Sequence, residues 1–360
     1  MIVLGIVVLG FLVVIHEGGH YLAARAFGVR VTEFMVGLPG PNIGFTHKGT
    51  KYGVTAIPLG GYARVCGMEV GEESPHLARV LESAYRRGTA TMEEVALDAG
   101  ISDDEAYEAL EELTEWGSLA GPTKKDKYNT YRTPALVPSK KERAAGAQPV
   151  AAGTPRPLAD ARAFYERERA QQYRSLPFWK RSVILLAGPL TNLLFAVVAF
   201  ILIFSVIGVS YTAADGAVYR MTATPLQSIQ LGFMYIGQIV AQVAGLFNPV
   251  TAPEVVANST SVVGVAVLSE QVAAYGFPDF LFFVAGISIS LGVMNLIPIP
   301  PLDGGRFVVE IYQRIARRNV TMRALNTLSL VGMGLFMVLF VVMLGQDIQR
   351  IATGWFWSQG

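Results

Sequence analysis

Four long, almost uncharged apolar stretches decide what this chain can fold into. Met1 to Ile15 carries no charged or strongly polar residue, and counted on to Ala24 it makes about 36 Å of helix, enough to cross a hydrocarbon core of roughly 30 Å. It lacks the basic n-region and small-residue cleavage site of a signal peptide. Val183–Val209, Phe277–Ile299 and Leu325–Leu344 share its character. Lipid offers the backbone no hydrogen-bond partner, so such stretches are predicted to be helices that cross a membrane. Composition agrees: 16% of residues are charged, against about 25% in a soluble domain. A net charge of +1 excludes a globally basic nucleic-acid binder. The one cysteine, Cys66, excludes a disulfide framework and a zinc site built on several thiolates.

Leu226–Phe247 is also apolar, but Gln227, Gln230, Gln238 and Gln242 recur at helical spacing. It is expected to lie on or dip into the membrane interface rather than form a fifth span. Lysine and arginine give the orientation. Of 29 such residues, 22 fall between Arg25 and Arg181 and five between Arg306 and Arg323. With four spans, both basic regions fall on the cytosolic side and both termini outside. The expected setting is a multi-pass bacterial inner-membrane protein, with residues 25–181 in the cytosol.

Within that region, Val29–Val36 and Tyr52–Ile57 read as strands of a small membrane-associated sheet. Leu77–Gly88, Met92–Ala99 and Ser102–Trp116 read as three short helices, with Ser118–Arg132 as a hairpin. Ser102 and Glu105 form a capping box, and Tyr107, Leu110 and Leu113 are the expected buried face of the third helix. This part resembles a winged helix-turn-helix domain. Pro138–Pro157 has the composition of a flexible linker, and Leu158–Ser175 that of a charged helix. The predicted fold is a mainly α membrane protein: four transmembrane helices, a small β-sheet and a soluble α+β insertion. Its parts are residues 1–68, the insertion 74–136, a linker and helix 137–175, and the remaining spans 176–360.

The chemistry lies in the apolar part. The first span ends in His16-Glu17-Gly18-Gly19-His20. Two histidines four apart share a helix face and can reach one metal, while the glutamate between them reaches a water. On a soluble helix the plain alternative is a pair of satisfied surface histidines; in lipid, three ionisable groups persist mainly for function. A tetrahedral site that keeps an open position needs a third protein ligand. Asp303 is the candidate, in Asn295-Leu296-Ile297-Pro298-Ile299-Pro300-Pro301-Leu302-Asp303-Gly304-Gly305, at the cytosolic end of the third span. The prolines there forbid regular helix.

His16 to His20, Gly188-Pro189-x-x-Asn192 and Asn295 to Gly305 together resemble the site-2 protease family of intramembrane zinc metalloproteases. The likeness is greatest to the bacterial branch that cleaves anti-sigma factors and signal-peptide remnants. It extends to Gly28-Val29-Arg30-Val31, Ile57-Pro58-Leu59-Gly60-Gly61-Tyr62 and Ser261-Val262-Val263-Gly264-Val265. The resemblance implies a Zn²⁺ cofactor held by His16, His20 and Asp303, with Glu17 as catalytic base. It also implies Asn192 and Asn295 as polar groups near the site, and Pro298 and Pro300 as shapers of a substrate-contacting segment. The implied substrate is a transmembrane protein such as an anti-sigma factor. Its helix must unwind locally before water can attack, and the strands around Val29–Val36 and Tyr52–Ile57 suggest a sheet edge that takes the unwound segment as an added strand.

Two departures from that family stand out. The 210–276 connection has no room for a PDZ domain, and Ser290 stands where some relatives have asparagine. The insertion carries seven basic and twelve acidic residues between His76 and Pro134. Its third helix has no lysine or arginine, and Lys124, Lys125, Lys127 and Arg132 give the wing only a small basic patch. DNA binding depends on neutralising phosphates, so the expected partner is a cytosolic protein rather than DNA. The competing reading is a membrane-anchored winged-helix regulator without protease activity, which leaves the charged groups within lipid unexplained. A zinc transporter would need ligands on several spans, whereas the second and fourth have neither histidine nor carboxylate.

Overall fold

The computed structural model describes residues 2–57, 60–68, 73–123, 126, 128–138, 143–144, 146–212, 218–318 and 320–355. Helix α1 (Ile2–Ala26) takes in the first apolar stretch and the His-Glu-x-x-His motif. The chain leaves it at Gly28, whose φ of +80° suits a residue without a Cβ. Four short strands follow: β1 (Val31–Val36), β2 (Asn42–His47), β3 (Thr50–Thr55) and β4 (Gly61–Val65). They form one sheet in the order β2-β3-β1-β4, with β1 parallel to β3 and antiparallel to β4. The two strands read from the sequence, β1 and β3, are therefore interior, which corrects the expectation that they offer the edge. The free edges belong to β2 and β4. Ile43, Phe45 and Val54 are exposed on the β2–β3 hairpin. Pro58 and Leu59 of the Ile57–Tyr62 motif lie outside the described residues.

The insertion has helices α2 (Leu77–Arg87), α3 (Met92–Ala99) and α4 (Asp103–Glu115), with strands β5 (Thr89–Ala90) and β6 (Tyr131–Arg132) paired antiparallel. Ala120 bridges Arg132 on the other side. Capping boxes start α3 (Thr91 with Glu94) and α4 (Ser102 with Glu105). Leu77, Leu81, Val95, Leu110, Leu113 and Trp116 make its core. Tyr107 does not join them: it is 51% exposed, and Ala106 and Ala109 take the inner face of α4 with Leu110 and Leu113. The linker expectation also changes. Val150 bridges Leu136, and Arg156 N donates to Tyr85 O at 2.7 Å, so Val150 and Arg156 at the far end of this stretch are tied to the insertion and to the residues just before the stretch. Helix α5 (Ala161–Ala170) packs Phe164 and Tyr165 on the same core. Lys124, Lys125 and Lys127 lie outside the described residues.

Helix α6 (Phe178–Ile201), extended by a π-helical segment to Ile207, is the hub of the apolar part. A hairpin, β7 (Val209–Thr212) and β8 (Val218–Met221), leads to α7 (Pro225–Gly245), α8 (Ala252–Asn258) and α9 (Val262–Tyr275). Then come α10 (Phe277–Asn295), α11 (Asp303–Ala316) and α12 (Met322–Ala352). Among the described residues four helices are long and apolar enough to cross a membrane: Val3–Ala26, Phe178–Ile207, Phe277–Asn295 and Arg323–Ala352. The fifth candidate is the bent pair α8–α9, with a 50° break, and not α7. Small residues permit the close crossings. A Cβ at Gly19 would sit 2.5 Å from Ala187 O, and one at Gly292 would sit 2.9 Å from Pro189 O. Phe200, Ala285, Ile289 and Val293 fill the space between α6 and α10, with Tyr235 and Ile239 of α7 against them. Asp347 of α12, fully buried, accepts from Ser261 N at 2.6 Å and pairs with Arg350 at 2.9 Å.

Candidate metal centre

His16 and His20 lie one turn apart on α1, and both are buried. Their Nε2 atoms are 3.4 Å apart, and Asp303 Oδ2 is 3.1 Å from one and 3.2 Å from the other. His20 Nδ1 lies 2.7 Å from Ile184 O, so the ring hydrogen belongs on Nδ1 and Nε2 presents its lone pair. Two imidazole nitrogens and a carboxylate oxygen thus converge on one point, an arrangement suited to a cation. Tetrahedral zinc with bonds of about 2.0–2.1 Å has ligand atoms roughly 3.3 Å apart. The observed triangle fits that spacing. Gly188 of α6 faces the same point: a Cβ there would sit 2.2 Å from His20 Nε2 and 2.9 Å from His16 Nε2. The cradle is therefore shaped by a missing side chain as much as by those present.

Asp303 reaches the histidines because the chain folds back sharply between α10 and α11. Gly304 and Gly305 pack so tightly that a Cβ would meet Leu296 O at 2.3 Å and Pro300 N at 2.2 Å. Asp303 is the first residue of α11, next to amide groups with no helical acceptor, which favours its negative charge. Burial pushes the Asp303 carboxyl up, but hydrogen bonds and charge from the two imidazoles outweigh it and hold the group well below the usual carboxylate range. Pro300 is buried and Pro298 exposed. Pro300 O lies against α12, 1.9 Å from where a Cβ on Gly332 would be.

Glu17 Oε2 accepts a hydrogen bond of 2.9 Å from Ala63 N, on the free edge of β4. Asn192, one turn beyond Gly188, is fully buried, and neither amide atom has a partner among the described residues. Its main-chain oxygen accepts from Ser288 Oγ at 2.9 Å. Asn295 instead donates to its own helix, at Leu291 O, as Ser290 does to Gly286 O. Sequence reasoning missed Ala63, Ile184 and Ser288. The first two act through the backbone, which no residue type announces. Gly188 stood within a quoted motif, but its approach to the imidazoles is visible only in three dimensions.

The profile of Peptidase family M50 matches residues 4–339. A Lactococcus lactis protein named "putative zinc metalloprotease" is 24% identical, with 96% of this chain and 97% of that protein aligned. Proteins with the same description from Campylobacter jejuni and Brucella suis are 25% and 27% identical, covering 96% and 84% of this chain and 92% and 82% of their own. A match of that extent, over a chain whose two histidines and aspartate meet at one point, shows that this protein belongs to peptidase family M50, the site-2 protease family.

Proposed function

We propose that this zinc metalloendopeptidase hydrolyses peptide bonds in or near the transmembrane segments of other membrane proteins, as in regulated intramembrane proteolysis. The observation that carries the reading is the meeting of Asp303, just beyond the end of one helix long and apolar enough to span a bilayer, with His16 and His20, which lie within another. Those three residues would hold the zinc ion through Nε2, Nε2 and Oδ2. When bound, zinc polarises the scissile carbonyl and acidifies the attacking water towards neutral pH. Glu17 takes the proton from that water at its carboxylate and returns it to the leaving amine. Ala63 N–H holds Glu17 Oε2 and so fixes the direction of that transfer. Asn192, buried with an unpartnered amide, suits a donor to the substrate backbone or to the developing oxyanion.

A substrate helix must unwind before its carbonyls are accessible. The free edges of the sheet, at β2 and β4, are the places for the unwound segment to pair, at β4 beside the Ala63 N–H already given to Glu17. Exposed Ile43, Phe45 and Val54 suit a sheet resting against lipid. Anti-sigma factors and signal-peptide remnants are the substrate classes in view. The setting proposed is the bacterial inner membrane, with residues 25–181 cytosolic, both termini outside and the insertion a winged-helix-like module. Glu17→Gln keeps zinc at one ion per chain but abolishes cleavage of a transmembrane peptide. Measuring metal content and cleavage in one preparation checks this, and retained turnover removes Glu17 from the role.

A further inference from the structure

Helix α11 begins at the metal centre and ends in a group of arginines that the peptidase site does not use. Asp303, its first residue, meets the two histidines beside Gly188 of α6. Glu310, two turns on, lies 3.2 Å from Arg181 in the first turn of α6. Helix α11 therefore runs back alongside α6 towards Phe178, and its 14 residues cover about 21 Å. Its inward face carries Gly304, Gly305 and Val309, all buried, with Glu310 turned to Arg181 and Tyr173. On the other face Val308, Tyr312 and Ile315, four and three residues apart, make an exposed stripe in which Ile315 is 77% exposed. Arg314, Arg317 and Arg318 close the helix, and Arg323 stands in the first turn of α12. All four are exposed, and none of their side chains has an ion-pair or hydrogen-bond partner among the described residues. Arg317 holds φ +52°, in the left-handed region that glycine usually fills at a helix end, so an arginine stands where the backbone favours a smaller residue.

An apolar stripe that passes through a tyrosine into arginines follows the order of a membrane boundary, from hydrocarbon through headgroup to water. The neighbouring surface keeps the same order. Beyond Arg323, α12 exposes Leu328, Leu330 and Val331. At the start of α6, exposed Trp179 and half-buried Phe27 flank Lys180, whose Nζ lies 5.5 Å from each ring. Compensation of the helix dipole accounts for a cation at the end of α11, but not for the stripe that leads to it. Between Asp303 and Arg323 the one carboxylate is that of Glu310, which is paired inward with Arg181. We propose that the outer face of α11 holds an acidic phospholipid of the bilayer, its acyl chains along Val308, Tyr312 and Ile315 and its phosphate on Arg314, Arg317 and Arg318, with Arg323 beside them. The bound lipid steadies the helix on which Asp303 stands. This site requires that α6 and α12 cross a bilayer and makes no use of proteolysis.

The test uses the full chain in a neutral detergent and a phosphatidylglycerol carrying a fluorophore on its acyl chain. Fluorescence anisotropy should show saturable binding that unlabelled phosphatidylglycerol displaces and phosphatidylcholine does not. Arg314→Gln with Arg318→Gln should raise the apparent Kd at least tenfold, and Ile315→Gln, at an exposed position, should raise it several-fold. Arg162→Gln, at an exposed arginine of α5 remote from the stripe, should leave it unchanged. An equal loss in Arg162→Gln reduces the effect to overall charge and overturns the site, as does phosphatidylcholine competing as well as phosphatidylglycerol. Displacement by inorganic phosphate at the concentration of the lipid means a free-anion site and overturns the lipid. In a second arm, wild type and the double arginine variant are placed in nanodiscs of phosphatidylcholine alone or mixed equally with phosphatidylglycerol. Hydrogen exchange in 303–318 should slow with phosphatidylglycerol in wild type and not in the variant; exchange that ignores lipid charge overturns the steadying of α11. If no transmembrane peptide is cleaved yet these lipid effects hold, the proteolytic reading fails and the lipid site stands.

Discussion

At the scale of single residues, the centre depends on close approach as much as on ligands. His16, Glu17, His20 and Asp303 were legible because ionisable groups in an apolar run are costly and rare. Gly188 was legible only as part of a pattern. Its reason is spatial: a methyl group there would occupy the point on which His16 and His20 converge. Gly188→Ala should therefore fold, since alanine is a better helix former than glycine, yet lose metal. The expected result is at least a tenfold fall in zinc affinity with little change in helical circular dichroism, read by competition with a chromogenic chelator. Unchanged affinity would show that the imidazoles swing aside without losing the ion. Ala63 had no legible signal at all, because its contribution is a main-chain N–H.

At the scale of elements, the sequence separated helices from strands well where the apolar period was long and poorly where it was short. The four predicted spans correspond to α1, α6, α10 and α12, and the three insertion helices lie within a residue of their expected bounds. β2 and β4, of six and five residues, went unread. The order of the sheet was not legible either: strand order depends on which edges meet α1. The Ser261–Val265 motif gains its explanation at this scale. Ser261 Oγ caps the N-terminus of α9, and its N–H donates to Asp347. Gly264 lets that carboxylate approach, since a Cβ would sit 2.5 Å from Asp347 Oδ2. Arg350, held by Asp347, donates to Ser259 O and ties the end of α8 to α12. Helix α12 is otherwise sparsely packed, so this buried network is its main anchor at that end. Removing one partner of a buried charge pair costs about 3–5 kcal/mol. Asp347→Ala should therefore lower the thermal midpoint in detergent by several degrees, and Asp347→Ala with Arg350→Leu should recover part of the loss. A double variant no more stable than the single one would deny that the stranded charge is the cause.

At the scale of the whole molecule, the insertion and the metal centre are mechanically joined. Arg30, just before β1, makes two hydrogen bonds to Glu168 of α5, at 2.8 and 3.1 Å, and reaches Trp116 O at the end of α4. Ser118 Oγ donates to the same carboxylate at 2.6 Å. A few residues on, Tyr173 O–H donates to Glu310 of α11, whose other oxygen lies 3.2 Å from Arg181 of α6. The segment after α5 therefore bridges the sheet that holds Glu17 and the helix that begins with Asp303. If the insertion and the metal centre are coupled through these contacts, displacing α5 should shift both halves of the site together. Glu168→Gln tests the joint. It keeps the size of the side chain but leaves Arg30 without its counter-charge, in a place where Glu168 is buried. Hydrogen exchange should quicken in 161–175 and in β1, and also in 303–316, which Glu168 does not touch. Exchange that quickens in α5 alone would mean that the insertion is attached to the peptidase without being coupled to it.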